Sequence, residues 1–287
     1  MTPLELYLRE ERSALREIIT VLREAEAEAS QRIIQLAGRA GIGAAVRQAQ
    51  LRLVRRELVS VQRELWSTLG KSIRRGGPGV AAASAEAERA MEQHLFRLAG
   101  RRVPEELVRA QQGYATRTVM TYFSRRQHNV TFSQRVFRTR ALTQGWIDRT
   151  VNRSVLLGES WRELAARVRP LISPDTAGGV SYAAKRLART ELNNAFHESA
   201  RVVSENNPYT VGMQWHLSRS HVAQGGVEVC ELIARGHSAG AKNGVYHHGA
   251  VPDKPHPQCR CYVTSVPMDE DAFLRTILGG ETPAQAG

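Results

Sequence analysis

Five side chains that favour soft metal ions fall between positions 221 and 261: His221, Cys230, His256, Cys259 and Cys261. A structural zinc site takes four Cys or His ligands from two chain segments brought together. His221 and Cys230 would supply one pair, and His256 with Cys259 the other. In an extended segment Cys259 and Cys261 project to the same side, because side chains two apart share a face. Cys261 can then replace Cys259 or support it. The loop between the pairs has few large apolar residues, so a metal cross-link would be useful where packing is weak. A blander reading stands beside this one. Cysteine is among the most buried residue types, loop histidines often serve as hydrogen-bonding groups, and the paired C-x-x-C halves of a zinc ribbon are missing. His237, His247 and His248 read as exposed loop residues.

A catalytic zinc keeps an open coordination position beside a general base. The chain has no H-E-x-x-H, no H-x-E with C-x-x-C and no phosphate-binding P-loop. Arg189, Thr190 and Glu191 lie on a predicted helix. Residues two apart do not share a helix face, so Arg189 and Glu191 are not expected to serve one ligand. Thr190 and Glu191 are expected to cap that helix and tie it to the sheet. Trp215 falls on a predicted strand. No catalytic residue is assigned. A metal-dependent nuclease or other DNA-processing enzyme is the alternative.

The elements that must position these groups follow from periodicity. Residues 2–37 predict one long helix, with Thr2 and Pro3 suited to its cap and first turn. Leu4, Leu8, Leu15, Ile18, Leu22, Ala25 and Ala29 recur at steps of three and four, interrupted at Glu11. Glycines at 38, 41 and 43 break it. A second helix over 44–74 carries the seam Leu51, Val54, Leu58, Val61 and Leu65. The pair reads as an antiparallel hairpin whose seams pack on each other or dock a partner. Gly76-Gly77-Pro78-Gly79 reads as a linker. Helices are expected at 80–99, 104–127, 133–157, 158–172 (stopped by Pro170) and 181–205 (opened by a serine cap). After Pro208, YTVGMQWHLS alternates as a strand does. A region rich in Gly, His and Pro follows, then a short strand, CRCYVTSV, and a frayed end from Gly279. The fold class is α-rich α+β: a helical hairpin and helical region, then a small mixed module, zinc-stabilised if the metal reading holds. The expected segments are 1–78, 79–157, 158–267 and a tail over 268–287.

Composition points to a polyanion partner. Lys and Arg total 40 against 28 Asp and Glu, a net charge of +12. Residues 1–150 hold 26 of the basic and 15 of the acidic groups, and residues 101–150 hold ten Arg against three acids. Such a local excess steers phosphates. A GC-rich coding sequence can also raise Arg, and Arg outnumbers Lys 36 to 4. Arg125, Arg126, Arg135, Arg138, Arg140, Arg149 and Arg153 could form one positive face. That face would either touch phosphates without reading sequence or lie solvated. Aromatics at 6% argue against an aromatic-rich sandwich core. No stretch reaches the roughly 18 apolar residues of a membrane helix, and the N-terminus lacks the pattern of a secretory signal. Three clustered cysteines in a reducing setting suit thiols or metal ligands better than disulfides.

The order of these motifs resembles a known family. Arg189-Thr190-Glu191 on a helix, Trp215, Cys230 in a loop, and Pro252 to Cys261 (P-x-x-P-H-P-x-C-R-C) are similar to the head morphogenesis domain typified by the F protein of bacteriophage Mu. The resemblance covers roughly residues 150–267, and H-P-x-C-x-C is its most specific part. Many members carry C-x-x-C where this chain has Cys230 and Ile233. That departure puts a four-cysteine site out of reach, though His221 could replace the missing ligand. The resemblance implies a structural minor capsid protein of a tailed phage, located in the virion at the portal vertex and in host cytoplasm during assembly. It implies the portal protein, capsid or scaffold proteins and double-stranded DNA as partners, several copies around the portal, and a role in head assembly, packaging or ejection.

Overall fold

A computed structural model describes residues 3–37, 44–127, 130–157, 159–218 and 228–279. It is mostly helical, with one small antiparallel sheet near the C-terminus. The described helices are α1 (Pro3–Ala37), α2 (Ala44–Arg75), α3 (Gly77–Leu98), α4 (Glu105–Ser124), α5 (Phe132–Leu156), α6 (Trp161–Ile172), α7 (Gly179–Glu205), α8 (Val229–Arg235) and α9 (Glu270–Gly279). Strands β1 (Arg126–Gln127) and β2 (Val130–Thr131) form a two-residue antiparallel pair ahead of α5. Strands β3 (Thr210–His216), β4 (Val245–Tyr246) and β5 (Tyr262–Pro267) form the sheet, in the order β4-β3-β5. The chain divides into two compact units, one of Met1–Arg12, Gly76–Ser124 and Arg189–Gly287, the other of Ser13–Arg75 and Arg125–Ala188. These units interleave in sequence and so cut across the four expected segments, because the long helices α1 and α7 each contribute to both.

In the second unit, α1 and α2 run antiparallel as the heptad seams predict. Ion pairs Glu17–Arg75 and Arg32–Glu57, each 2.5 Å, fix their direction. Ile18, Leu22, Ala25, Ala29 and Ile33 are buried on α1, and Val54, Leu58, Val61 and Leu65 on α2. Helix α5 packs along α2, where Trp66 Nε1 donates to Thr143 Oγ1 at 3.1 Å and Arg55 grips both oxygens of Asp148 at 3.0 and 2.9 Å. A capping box of Ser160 and Glu163 opens α6.

Two expected boundaries move here. Pro170 does not stop α6 but lies inside it. The apolar stripe Leu164, Ala165, Val168 and Ile172 ends beyond the proline, so burying Ile172 outweighs the one backbone bond Pro170 forfeits. Ser181 is not the cap of α7, because the helix has already begun at Gly179. Gly179 has φ +60°, and a Cβ there would lie 2.5 Å from the Leu171 carbonyl oxygen. Glycine alone makes that entry without strain.

In the first unit the N-terminal seam also differs from expectation. Tyr7 and Glu11 are buried, while Leu8 is only partly so; Glu11 is the polar member of the seam rather than a gap in it. The stretch Gly77-Pro78-Gly79 is not a linker but the first turn of α3, with Gly76 as the only break after α2. Proline suits a first turn, and Gly77 lets α3 approach α4, since a Cβ would lie 3.0 Å from Val119 and 3.1 Å from Phe123. Helix α4 stops at Ser124, short of the expected 127. The expected tail is helical over α9, where Phe273 packs with Leu95, Phe96 and Met268. Thr2, the glycine-rich turn at 38–43, and the chain beyond Gly279 lie outside the described residues.

A buried polar cluster joins α3 to α4, Asn207 and β5 within this unit. Asn207 Nδ2 donates to Glu88 at 2.7 Å and to Glu92 at 2.9 Å, Gln111 of α4 also donates to Glu92, and Ser265 of β5 donates to Glu88. Burial lifts the Glu92 carboxyl to about 7, against 4.5 for a free glutamate. Stability from this raised acid is therefore present below pH 4.5 and lost as pH rises through 7. Glu92→Gln keeps an acceptor for both amides. It is expected to stabilise the protein by about 1–3 kcal/mol at pH 8 and by much less at pH 5, as paired urea titrations would show.

Candidate metal centre

The sheet and the second half of α7 build a small apolar shell. Met213 and Trp215 of β3 point inward, and an irregularity between Thr210 and Gly212 shifts the alternation so that Val211 faces out. Ala200, Val251 and Val263 complete the shell, with Ile233, Ala234 and Tyr246 against it. Cys230, Cys259 and Cys261 all lie buried within it as free thiols.

Cys230 occupies the first turn of α8, a helix absent from the sequence-based expectation. Tyr246 Oη donates to the Ile233 carbonyl at 2.6 Å, and Gly244 N donates to the Gly236 carbonyl at 2.6 Å. These bonds tie α8 to β4. Cys259 and Cys261 do not sit on the strand itself, which begins at Tyr262; they arrive from a tight turn. Cys259 N donates to the His256 carbonyl at 3.3 Å, with Pro257 second and Gln258 third in the turn. Gln258 has φ +60° and is the one non-glycine with positive φ among the described residues. A left-handed glutamine costs about 1–2 kcal/mol, so something must hold it.

The R-T-E motif does. Thr190 Oγ1 accepts from Gln258 N at 3.1 Å, and Arg189 Nη1 reaches Gln258 Oε1 at 3.5 Å. One turn on, Asn193 Nδ2 donates to the Cys259 carbonyl. Glu191 accepts from Tyr122 of α4 at 3.1 Å, which ties α7 to that helix. Arg189 also lies 3.3 Å from Glu11, which accepts from Arg260 at 2.9 Å and from Tyr7 at 2.8 Å.

The donor atoms converge. Cys230 Sγ stands 3.6 Å from Cys259 Sγ and 3.1 Å from His256 Nε2, and the three sulfurs lie within 4.8 Å of one another. These three cysteines with the adjacent imidazole are close enough to hold a metal ion. Glu228 lies within the same distance of Cys230 and His256. His256 Nδ1 is 3.0 Å from the Pro257 carbonyl. A carbonyl only accepts, so a proton on Nδ1 would satisfy it and leave the Nε2 lone pair toward Cys230 Sγ, the tautomer a ligand needs.

Electrostatics set the three thiols apart, favouring the thiolate at Cys261 and the protonated form at the other two. Burial pushes Cys230 up to about 11, while the bond from Cys259 holds Cys261 down to about 5 and raises Cys259. Lys254 is half-buried 5.1 Å over the Trp215 ring and donates to the Cys261 carbonyl. Desolvation lowers Lys254 to about 8, with the three thiols pulling the other way. Its ammonium can balance the excess charge of three thiolates on a divalent ion. His197, lowered to about 3 chiefly by burial, stays neutral and bonds the Pro252 carbonyl at 2.9 Å.

The other expected site residues are placed as follows. His221 lies outside the described residues, and His256 is the imidazole beside the sulfurs. Trp215 forms the floor of the cluster. On α5, the helical period puts Arg135, Arg138, Arg149 and Arg153 on one face. Arg140 leaves that face and lies over the Phe137 ring at 4.8 Å. Arg135 is engaged with the Val130 carbonyl at 2.8 Å. Arg125 follows α4, and the side chain of Arg126 lies outside the described residues. The stretch Gly236-His237-Ser238-Ala239-Gly240 fits the G-x-S-x-G pattern of serine hydrolases. It does not form their strand-to-helix elbow: it follows α8, and Ser238 Oγ accepts from His247 N at 3.0 Å.

Thr190→Val keeps the shape of α7 and removes the acceptor for Gln258 N. Metal affinity, read by competition with a chromophoric chelator, is expected to fall about tenfold. Adding Gln258→Gly, which takes a left-handed turn without cost, should recover part of the loss.

The fold and site define a class: a mostly helical protein with a small antiparallel sheet carrying a cluster of three buried cysteines beside an exposed histidine. Compared with protein-family models, curated proteins and solved structures, the chain matches none of them.

Proposed function

We propose that the chain is a non-catalytic minor head protein of a tailed bacteriophage, of the kind typified by the Mu F protein. It works at the portal vertex and near DNA in head assembly, packaging or ejection. The observation that carries this reading is the closure of the motif. Arg189, Thr190 and Asn193 meet the His256–Cys261 turn, more than sixty positions away, through three hydrogen bonds. Two letters that carry the resemblance, Arg189 and Thr190, thus meet its H-P-x-C-x-C end, with Asn193 adding the third bond.

The cluster is read as a structural zinc centre. Thiolate and imidazole donors suit zinc, and Cys230, His256, Cys259 and Cys261 would fill a tetrahedral ion. Bound zinc would cross-link α8 to the 256–261 turn. Four protein ligands leave no position for a reacting water, which supports an architectural role over a nuclease. The α1–α2 hairpin is assigned to docking on the portal or inner shell, and exposed Arg138, Arg149 and Arg153 to DNA. No described helix is long and apolar enough to cross a membrane.

Mass spectrometry of density-purified particles tests the reading. DNA-filled heads should contain the chain in a few copies, and particles assembled without it should package or infect poorly. Normal packaging and infection in its absence would overturn the assignment.

A further inference from the structure

A cavity of about 510 Å³ opens where α3 turns into α4. Arg89, Arg97, Arg101, Arg102 and Arg109 line it, against one carboxylate, Glu105. None of these arginines belongs to the α5 face. The turn that presents them is rigid. Gly100 has φ +66°, its N–H donates to the Arg97 carbonyl at 3.0 Å, and Arg101 N donates to the Phe96 carbonyl at 2.9 Å. Those two bonds are a Schellman ending, and Phe96 beneath them is anchored edge-on against Phe273 and Tyr209.

The guanidinium groups find few partners among the described residues. Arg97, Arg101 and Arg102 are exposed and make no side-chain hydrogen bond or ion pair among the described residues. Arg89 and Arg109 reach Glu86 and Glu105 only at 3.9 Å, the outer limit of an ion pair. Carboxylates are thus already within reach and do not capture the arginines. A phosphodiester backbone offers what they lack: a denser charge array, bidentate oxygens, and release of condensed counterions on contact. Phe96, the one aromatic lining the cavity, is buried, so no aromatic ring there can stack a base.

From this the geometry points to a second, sequence-independent phosphate-backbone site for double-stranded DNA at the α3–α4 turn, built from Arg89, Arg97, Arg101, Arg102 and Arg109. It deepens the proposed function and rests on its DNA contact. Fluorescence anisotropy of a labelled 30-base-pair duplex, titrated against the full chain over a range of salt, tests it. Arg97→Ala/Arg101→Ala/Arg102→Ala should weaken binding at least about tenfold near 0.1 M salt. It should flatten the plot of log affinity against log salt by about 2–3, at roughly 0.9 per phosphate lost. Arg101→Ala alone should flatten it by about 1. All three positions are exposed, and an unchanged melting curve checks that the variant folds.

An unchanged slope in the triple variant overturns the inference. If Arg138→Ala/Arg149→Ala/Arg153→Ala then abolishes binding, the DNA reading survives without this site. If the wild-type chain binds no duplex at low salt, both fall. Tighter binding of polyglutamate than of duplex would overturn the inference in favour of an acidic protein partner.

Discussion

Stripping metal from the purified protein with a strong chelator is expected to lower its melting temperature by about 10–20 °C. The size follows from two estimates. A structural zinc contributes many kcal/mol to isolated fingers; here an apolar shell shares the task, so about 5 kcal/mol is a fair share for the ion. At this chain length each kcal/mol moves the midpoint by about 2–4 °C. The loss should be local. Hydrogen exchange should accelerate in α8 and in the turn leading to β5, and stay unchanged in α2 and α5. Cys230→Ser should reproduce the low melting temperature and make the chelator ineffective. A chelator-treated protein that melts as the untreated one does would show that the shell alone holds the module.

The second large effect is expected at Glu11, which is 1% exposed and faces Tyr7, Arg189 and Arg260. Glu11→Ala leaves those donors without their shared carboxylate. Removing one partner of a buried ion pair costs about 3–5 kcal/mol. The two guanidinium groups keep about a third of their exposure to water, which screens them and brings the expectation to about 2–4 kcal/mol. Urea unfolding measures it. Glu11→Gln should lose less, because its amide oxygen still accepts from Tyr7. A double-mutant cycle with Arg260→Ala should return a coupling of about 1–3 kcal/mol. Since Arg260 lies between Cys259 and Cys261, Glu11→Ala should also weaken zinc binding. An additive cycle would mean that Glu11 and Arg260 are near each other without interacting.

Much of the helical frame was legible because long amphipathic periods survive local exceptions. The α1–α2 hairpin, α5 and β3 could be placed from spacing alone. Two misplaced boundaries shared one cause: tertiary packing overrode a local breaker. Gly77 and Pro78 open a helix because α4 comes close, and Pro170 sits inside one because Ile172 must be buried. Helix α8 was hidden by its seven residues and by the Gly- and His-rich stretch around it. Helix α9 was hidden by its place near the end of the chain.

At the site, ligand types were legible and partners were not. Cys230, His256, Cys259 and Cys261 stood out by chemistry. Glu11 looked like a flaw in a seam, because a sequence cannot show two arginines arriving from positions 189 and 260. Gln258 carried no sign of its left-handed backbone except its place after His256-Pro257. Lys254 did carry a signal, as one of only four lysines in a chain with 36 arginines. A compact ammonium against a backbone carbonyl and an indole face is a task a guanidinium does not fill in the same way.

X-ray absorption at the zinc edge on the purified protein tests the account most directly. One zinc per chain, with three sulfur neighbours near 2.3 Å and one nitrogen near 2.0 Å, is the predicted spectrum. A protein that carries no zinc when supplied with it, or a spectrum dominated by oxygen neighbours, would contradict the account.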